Sequence, residues 1–255
     1  MVRGRVIAYG PSPAYRPPVP ATNRSFRRNK LSPAGVTRLE TIFSYPPQSV
    51  AKKILMISRF EPGTSPALLL LHGTGGDENN LLPLGRILRP GAALLSPRGQ
   101  ILENGQPRFF RRLAPGVFDQ DDLIRRTHEL ADFVEDQSAS CHLGKVVAVG
   151  YSNGANIAAS MLLLRPDVLA GAILFRAMIP LEPPQPRQLD HTPVLLLAGR
   201  HDNMIPQDGT QRLAVLLEQS GAELTLEWRH TGHGLEQSEF TLARDWLDQH
   251  FLRQL

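Results

Sequence analysis

The chain has one cysteine, Cys141, among its 255 residues. No intrachain disulfide is available. Without a Cys/His ligand spacing, that thiol reads as a buried or half-buried side chain and not as a metal ligand. No metal and no organic cofactor are expected. No apolar run approaches the length needed to cross a bilayer, so stable membrane insertion is not expected either. The N-terminus lacks the apolar stretch of a secretory signal, and a cytoplasmic location is expected. Acids are missing before Glu40, whereas Arg3, Arg5, Arg16, Arg24, Arg27, Arg28, Lys30 and Arg38 all precede it. The net charge of +4 therefore belongs to this first segment, and the remainder is slightly acidic. Nucleic-acid binding, which needs a basic face on a folded surface, is not expected.

The same segment carries Pro11, Pro13, Pro17, Pro18, Pro20 and Pro33. Such a composition buries too little apolar surface to offset its ordering entropy. Residues 1–36 read as a basic, proline-rich extension, disordered or included by start-site choice. The prolines argue against an amphipathic import helix. Residues 37–255 read as one catalytic domain, a length that gives ample core.

What the chain does have is Gly150-Tyr151-Ser152-Asn153-Gly154, between an apolar run (Val146 to Val149) and a helical pattern that continues through Ala155 to Ala159. A strand turning sharply into a helix is the context that gives Gly-x-Ser-x-Gly meaning. A serine hydroxyl is a weak nucleophile. It must project from a tight turn into open space beside a base. The glycines remove Cβ atoms that would clash with the neighbouring strand and helix. The bland alternative is a small-residue turn with a surface serine.

An acid and a histidine should follow in that order. The run Pro193 to Ala198 ends at Gly199-Arg200-His201-Asp202. An acid just past a strand end lies on the edge where parallel sheets place their sites. Asp208 is the rival acid, but it falls at a helix start, where an acid serves capping and the helix dipole. Glu223 to Trp228 alternates like a strand and leads to His230-Thr231-Gly232-His233-Gly234. His233, between two glycines in a loop, suits a general base, and His230 reads as the last residue of the strand. The run Leu68 to Leu71 is followed by His72-Gly73-Thr74-Gly75-Gly76-Asp77. That loop lacks the Lys-Ser/Thr of a phosphate-binding loop and the spacing of a dinucleotide fingerprint. It suits an oxyanion hole formed by the backbone N–H groups of Thr74 and of Asn153, the residue after the nucleophile.

Other segments fill in the alternation. Arg38–Ser44 and Lys53–Phe60 read as edge strands, Asn79–Leu88 as a short helix and Ala92–Leu95 as a strand. Asp119–Ser138 reads as an amphipathic helix with Leu123, Ile124, Leu130, Phe133 and Val134 on one face. Gly171–Phe175 reads as a strand; Asp208–Gln219 and Gln237–Leu252 read as helices. Apolar strands alternating with helices imply an α/β chain with a mostly parallel sheet covered on both faces. A polar insert, Arg98–Phe118, leaves the sheet at its catalytic edge. It is expected to wall the substrate site, with Phe109, Phe110 and Arg111 as candidate substrate contacts beside Arg112. The alternative is core phenylalanines and solvated arginines.

Leu71 to Glu78 and Gly150 to Asn156 resemble the small carboxylesterase/phospholipase branch of the α/β-hydrolases. Glu103 to Arg112 and Gly116 to Asp119 are similar to hydrolases associated with the bacterial methylhydroquinone and catechol stress response. The resemblance runs from about Ile54 to the C-terminus. It implies the α/β-hydrolase fold, with nucleophile, acid and base on Ser152, Asp202 and His233 and the oxyanion amides on Thr74 and Asn153. Relatives often carry a second glycine where this chain has Ala155. The expected activity is hydrolysis of carboxylic esters of short or medium acyl chain, or of aromatic esters, through an acyl-enzyme. A thioesterase, acyltransferase or lysophospholipase would use the same groups, and a binding protein would keep the fold without turnover. A small-molecule ester is the expected partner. The resemblance allows a homodimer. In this fold a cap enters between the strand ending near Phe175 and the one starting near Val194. That gap is short here and holds Pro180, Pro183, Pro184, Pro186 and Pro193, which block helix continuation. No large cap domain is expected.

Overall fold

A computed structural model describes residues 55–185 and 187–252. The expected extension 1–36, the expected strand Arg38–Ser44, the start of Lys53–Phe60 and Pro186 lie outside the described residues.

Among the described residues, seven strands form one sheet in the order β1-β3-β2-β8-β9-β10-β11. They are β1 (Ser58–Glu61), β2 (Thr64–Leu71), β3 (Ala92–Pro97), β8 (Val146–Tyr151), β9 (Leu169–Phe175), β10 (Pro193–Gly199) and β11 (Glu223–Arg229). Only β1 runs antiparallel, against β3; the other pairings are parallel. The helices are α1 (Leu82–Leu88), α2 (Gln120–Cys141), α3 (Asn153–Leu164), α4 (Gln207–Gln219) and α5 (Gln237–Phe251). Both faces of the sheet are covered, and strand periodicity sorts the core between them. Leu69 and Leu71 pack with residues of α2, α3 and α4, such as Phe133, Leu162 and Leu213. Leu68 and Leu70 pack on the other face with Leu82 and Leu88 of α1 and Trp246 and Leu247 of α5. This is the α/β-hydrolase arrangement, with β8 central and its C-terminal end at the turn into α3. Among the described residues no helix is long and apolar enough to cross a membrane.

Several boundaries differ from the sequence expectation. The helix expected from Asn79 starts only at Leu82, with Pro83 in its first turn. The reason is local: Asn80 Oδ1 and Asp77 Oδ1 accept from the backbone N–H groups of Asp77 and Asn79, folding residues 77–80 into turns. Helix α2 starts as expected, because Asp119 caps the N–H of Asp122, but it runs on to Cys141 and stops at His142 in the left-handed region. Ile124, expected on its buried face, is exposed; Leu123 takes that side. Strand β11 ends at Arg229, so His230 lies just beyond it. The insert is not a plain loop. It holds two hairpins, β4 (Ile101–Glu103) with β5 (Gln106–Arg108), and β6 (Arg112–Ala114) with β7 (Val117–Phe118). Asn104-Gly105, both at positive φ, makes the first turn. The segment from Arg176 to Thr192 is irregular, with no helix among its described residues.

Candidate active site

The end of β8 sets the site. Ser152 has φ 54° and ψ −114°, a conformation that non-glycine residues rarely adopt. Two glycines permit it. A Cβ on Gly150 would sit 2.6 Å from Ala155 Cα, and one on Gly154 would overlap the Leu71 carbonyl of β2. The Ser152 N–H donates to Phe175 O of β9 at 2.9 Å, and its carbonyl accepts from Asn156 N at 3.0 Å. The hydroxyl is thus held at the sheet edge on a turn braced from both sides.

Past β10, the chain approaches the loop after β11 closely. A Cβ on Gly199 would lie 2.5 Å from Gly232 O, and His201 N–H donates to Thr231 O at 3.0 Å. This approach carries Asp202 to His233. Asp202 Oδ1 accepts from the N–H groups of Met204 (2.8 Å) and Ile205 (3.0 Å). That leaves Oδ2 to bond His233 Nδ1 at 2.8 Å, and His233 Nε2 lies 3.1 Å from Ser152 Oγ. The carboxylate is nearly inaccessible, while the imidazole keeps 16% of its surface. An ionised carboxylate only accepts, so Nδ1 carries the proton and Nε2 accepts from the serine hydroxyl. Such a line can draw a proton from Ser152 onto Nε2 and stabilise the resulting charge. Asp208 lies in the first turn of α4 and makes no hydrogen bond to His233 among the described residues.

Asn153 follows Ser152 directly in the elbow, and Thr74 lies in the glycine loop after β2. Asn153 is the first residue of α3, where backbone N–H groups have no partner within the helix. In the glycine loop, Gly75 N–H is committed to Pro107 O and Gly76 N–H to Gly73 O, which leaves the Thr74 N–H without a partner among the described residues. A cavity of about 420 Å³ runs along this loop, lined by Gly73, Thr74, Gly75, Gly76, Tyr151 and Leu235 among others.

The insert residues behave differently from the expectation. Phe110 has no exposed surface and packs edge-on against Phe118 at 5.0 Å, so it belongs to the core and not to a substrate wall. Phe109 is also buried. Its ring tilts over His72 at 4.7 Å, and only its backbone N–H approaches the elbow, donating to Asn153 Oδ1 at 2.8 Å. The backbone is packed as tightly here as the rings: Gly99 lies so close to the Arg108–Phe109 peptide that any Cβ would overlap it. Arg111 is exposed but tied to the start of α2, its Nε 3.1 Å from Asp119 Oδ2 and its N–H on Asp122 Oδ2 at 2.8 Å.

Four residues that the sequence reading left without a role support the site. His72 is buried; its Nε2 accepts from Gly99 N–H at 3.0 Å, so Nδ1–H donates to Gly73 O at 2.7 Å. Burial holds its pKa below the ordinary histidine value, so the neutral ring keeps both bonds. Tyr151 donates to the His233 carbonyl at 3.1 Å, and burial pushes its phenol pKa up. Arg108 is buried and bonds Thr74 Oγ1 at 2.7 Å. Arg176 is fully buried and donates to Gly232 O (2.9 Å) and Gly234 O (2.7 Å), on either side of His233. One signal existed for Arg176, a charged residue directly continuing the apolar run of β9. Arg108, between Pro107 and two phenylalanines, stood in no periodic pattern.

The family model described as phospholipase/carboxylesterase matches residues 56–251. The MhqD hydrolase of Bacillus subtilis (strain 168) is 49% identical over 191 residues, covering 73% of this chain and 95% of that protein. A crystal structure of a Bacillus cereus carboxylesterase superposes with TM-score 0.74 at 44% identity, covering 76% of this chain and 93% of that one. A carboxylesterase from Mesorhizobium loti gives TM-score 0.68 at 33% identity, over 71% and 87%.

Proposed function

The chain belongs to the phospholipase/carboxylesterase family of α/β-hydrolases, and on that premise we propose that it is a serine esterase for carboxylic esters of short to medium acyl chain or for aromatic esters. The observation that carries the reading is the continuous hydrogen-bonded line Asp202–His233–Ser152, ending on a serine at positive φ. Ser152 Oγ attacks the ester carbonyl while His233 Nε2 takes its proton. Asp202 holds the imidazole in the required tautomer and stabilises its charged form. The backbone N–H groups of Thr74 and Asn153 stabilise the oxyanion. His233 then protonates the leaving alcohol, an acyl-enzyme remains on Ser152, and water attacks it with His233 as base. The carboxylesterases among its structural neighbours support this reaction class.

The substrate is a small molecule. A second cavity, about 440 Å³, lies between the insert (Val117, Phe118) and the proline-bearing segment (Met178, Ile179, Pro180, Leu181). Met178 N–H is bonded to Asn156 of α3 at 3.0 Å, which ties this wall to the elbow helix. Gln120, Glu182 and Arg212 line it beside these apolar side chains, and a recess of that size accommodates a short acyl or aromatic group.

The test is turnover of nitrophenyl esters of increasing chain length and of phenyl esters, together with fluorophosphonate labelling of Ser152. Turnover and stoichiometric labelling, both lost in Ser152→Ala, are expected. A purified, folded protein with neither would overturn the reading.

A further inference from the structure

Three consecutive residues of the insert reach both halves of the proposed oxyanion hole. Pro107 O accepts from Gly75 N–H at 3.0 Å. Arg108 Nη1 donates to Thr74 Oγ1 at 2.7 Å. Phe109 N–H donates to Asn153 Oδ1 at 2.8 Å. The two amides come from loops far apart in sequence, and this single stretch of chain is bonded to the residues that carry them.

Arg108 is an unusual choice for the middle of that stretch. Its side chain is only 4% exposed, and an unpaired guanidinium is costly at such depth. It is held by Glu103, with Oε2 3.3 Å from Nε, and by Phe110 O, 3.3 Å from the same nitrogen. Burial holds its pKa below the usual arginine value, and the Glu103 carboxylate opposes that shift. Its shortest hydrogen bond goes to neither partner but to the hydroxyl of an exposed threonine. On the other side, Asn153 commits Oδ1 to the insert while its buried Nδ2 has no partner among the described residues. A side chain selected for packing alone would avoid that cost.

We infer that Arg108 is a positioning residue of the oxyanion hole: it fixes Thr74 through Oγ1 while the adjoining Phe109 N–H fixes Asn153, so that the two amides hold one separation as charge develops on the substrate oxygen. The inference rests on the esterase reading above. Donors set in advance stabilise the transition state without reorganising, and interactions stronger there than in the ground state raise kcat. Loss of the clamp therefore acts on kcat and leaves KM little changed.

The experiment compares Arg108→Met, Arg108→Lys, Thr74→Val and the Arg108→Met/Thr74→Val pair. Thr74→Val removes the acceptor, keeps the amide and alters only an exposed side chain. Each of Arg108→Met and Thr74→Val is expected to lower kcat by about 10- to 100-fold, the scale of a small misplacement of catalytic groups. Affinity for a trifluoromethyl ketone, which forms a tetrahedral adduct, should fall in parallel. The pair should be no slower than the slower single variant, because both break one contact. Arg108→Lys should restore only part of kcat, since one ammonium cannot stand at both Nη1, which reaches Thr74, and Nε, which reaches Phe110 O. Full kcat in Thr74→Val, or losses that multiply in the pair, would overturn the inference. If Arg108→Met does not fold, the kcat of Thr74→Val decides. Fluorophosphonate labelling of the wild type separates the two readings: an unlabelled wild type sinks the esterase assignment, whereas a labelled one with an unaffected Thr74→Val sinks only the clamp.

Discussion

Arg176 and Glu239 are joined by two hydrogen bonds, Nη1 to Oε1 at 2.7 Å and Nη2 to Oε2 at 2.8 Å, and neither side chain is exposed. The same guanidinium holds Gly232 O, Gly234 O and Thr231 Oγ1, and Glu239 Oε2 also accepts from Glu236 N–H at the start of α5. The loop that presents His233 is thus pinned from inside the protein. Removing one partner strands the other charge in the core. Glu239→Gln should therefore cost about 3–5 kcal/mol of stability, read from urea unfolding midpoints. A cost below 1 kcal/mol would mean that the Arg176 charge is neutralised by its carbonyl partners alone.

Ser152→Ala and His233→Ala should each lower kcat by about 10⁶-fold with the far-ultraviolet circular dichroism unchanged, because the members of such a line act as a unit. Asp202→Asn should lower kcat on the order of 10⁴-fold through the wrong imidazole tautomer. Asp208→Asn, at a helix start and without a hydrogen bond to the imidazole among the described residues, should retain near-normal turnover. The reverse ranking of the two asparagine variants would assign the acid to Asp208.

The strands and the elbow were legible because their signals are short-range. Leu68 to Leu71 and Val146 to Val149 are apolar runs of strand length, and Gly150 and Gly154 occupy positions where α3 and β2 crowd the turn. The order of serine, acid and histidine was legible for the same reason, since each ends or follows a strand. The insert was not. Asn104-Gly105 announces a hairpin, but Phe109 and Phe110 turn inward onto His72 and Phe118, partners that no local spacing reveals. Arg108 and Glu239 were equally illegible, and Arg176 showed only as a charge continuing the apolar run of β9, because a buried charge is recognised by the partner that neutralises it. Glu239 lies 63 residues from Arg176, and no local pattern joins them.

His72 should make stability pH-dependent on the acid side of its ordinary titration range. Burial lowers its folded-state pKa, and the Gly73 carbonyl opposes this only in part. In the unfolded chain it titrates near its ordinary value of about 6.5. Between those two values the unfolded state binds more protons, so stability rises with pH. The contribution is complete above about pH 6.5 and is lost as pH falls toward the folded-state pKa. His72→Gln keeps polar atoms near Gly99 and Gly73 but cannot titrate. Unfolding midpoints measured between neutral and mildly acid pH should fall more steeply for the wild type than for His72→Gln. Parallel curves would place the pH dependence elsewhere.

Chain-length preference follows from what borders the recess. Pro180, Pro183 and Pro184 interrupt the segment after β9, whose described residues lie as irregular chain against the insert and build no helical cap. An acyl group seated between Phe118 and Ile179 can bury only its first few methylenes before it meets water. Each buried methylene is worth about 0.8 kcal/mol, or about fourfold in specificity. The expected profile is kcat/KM rising by about that factor per methylene over the first few carbons and then levelling. A capped lipase behaves otherwise, since contact with a lipid surface opens its cap and activity climbs when the substrate aggregates. Here saturation should stay hyperbolic as a long-chain ester passes its solubility limit. A sharp rise at that limit would require a closing element over Ser152 that the irregular segment between Arg176 and Thr192 does not supply.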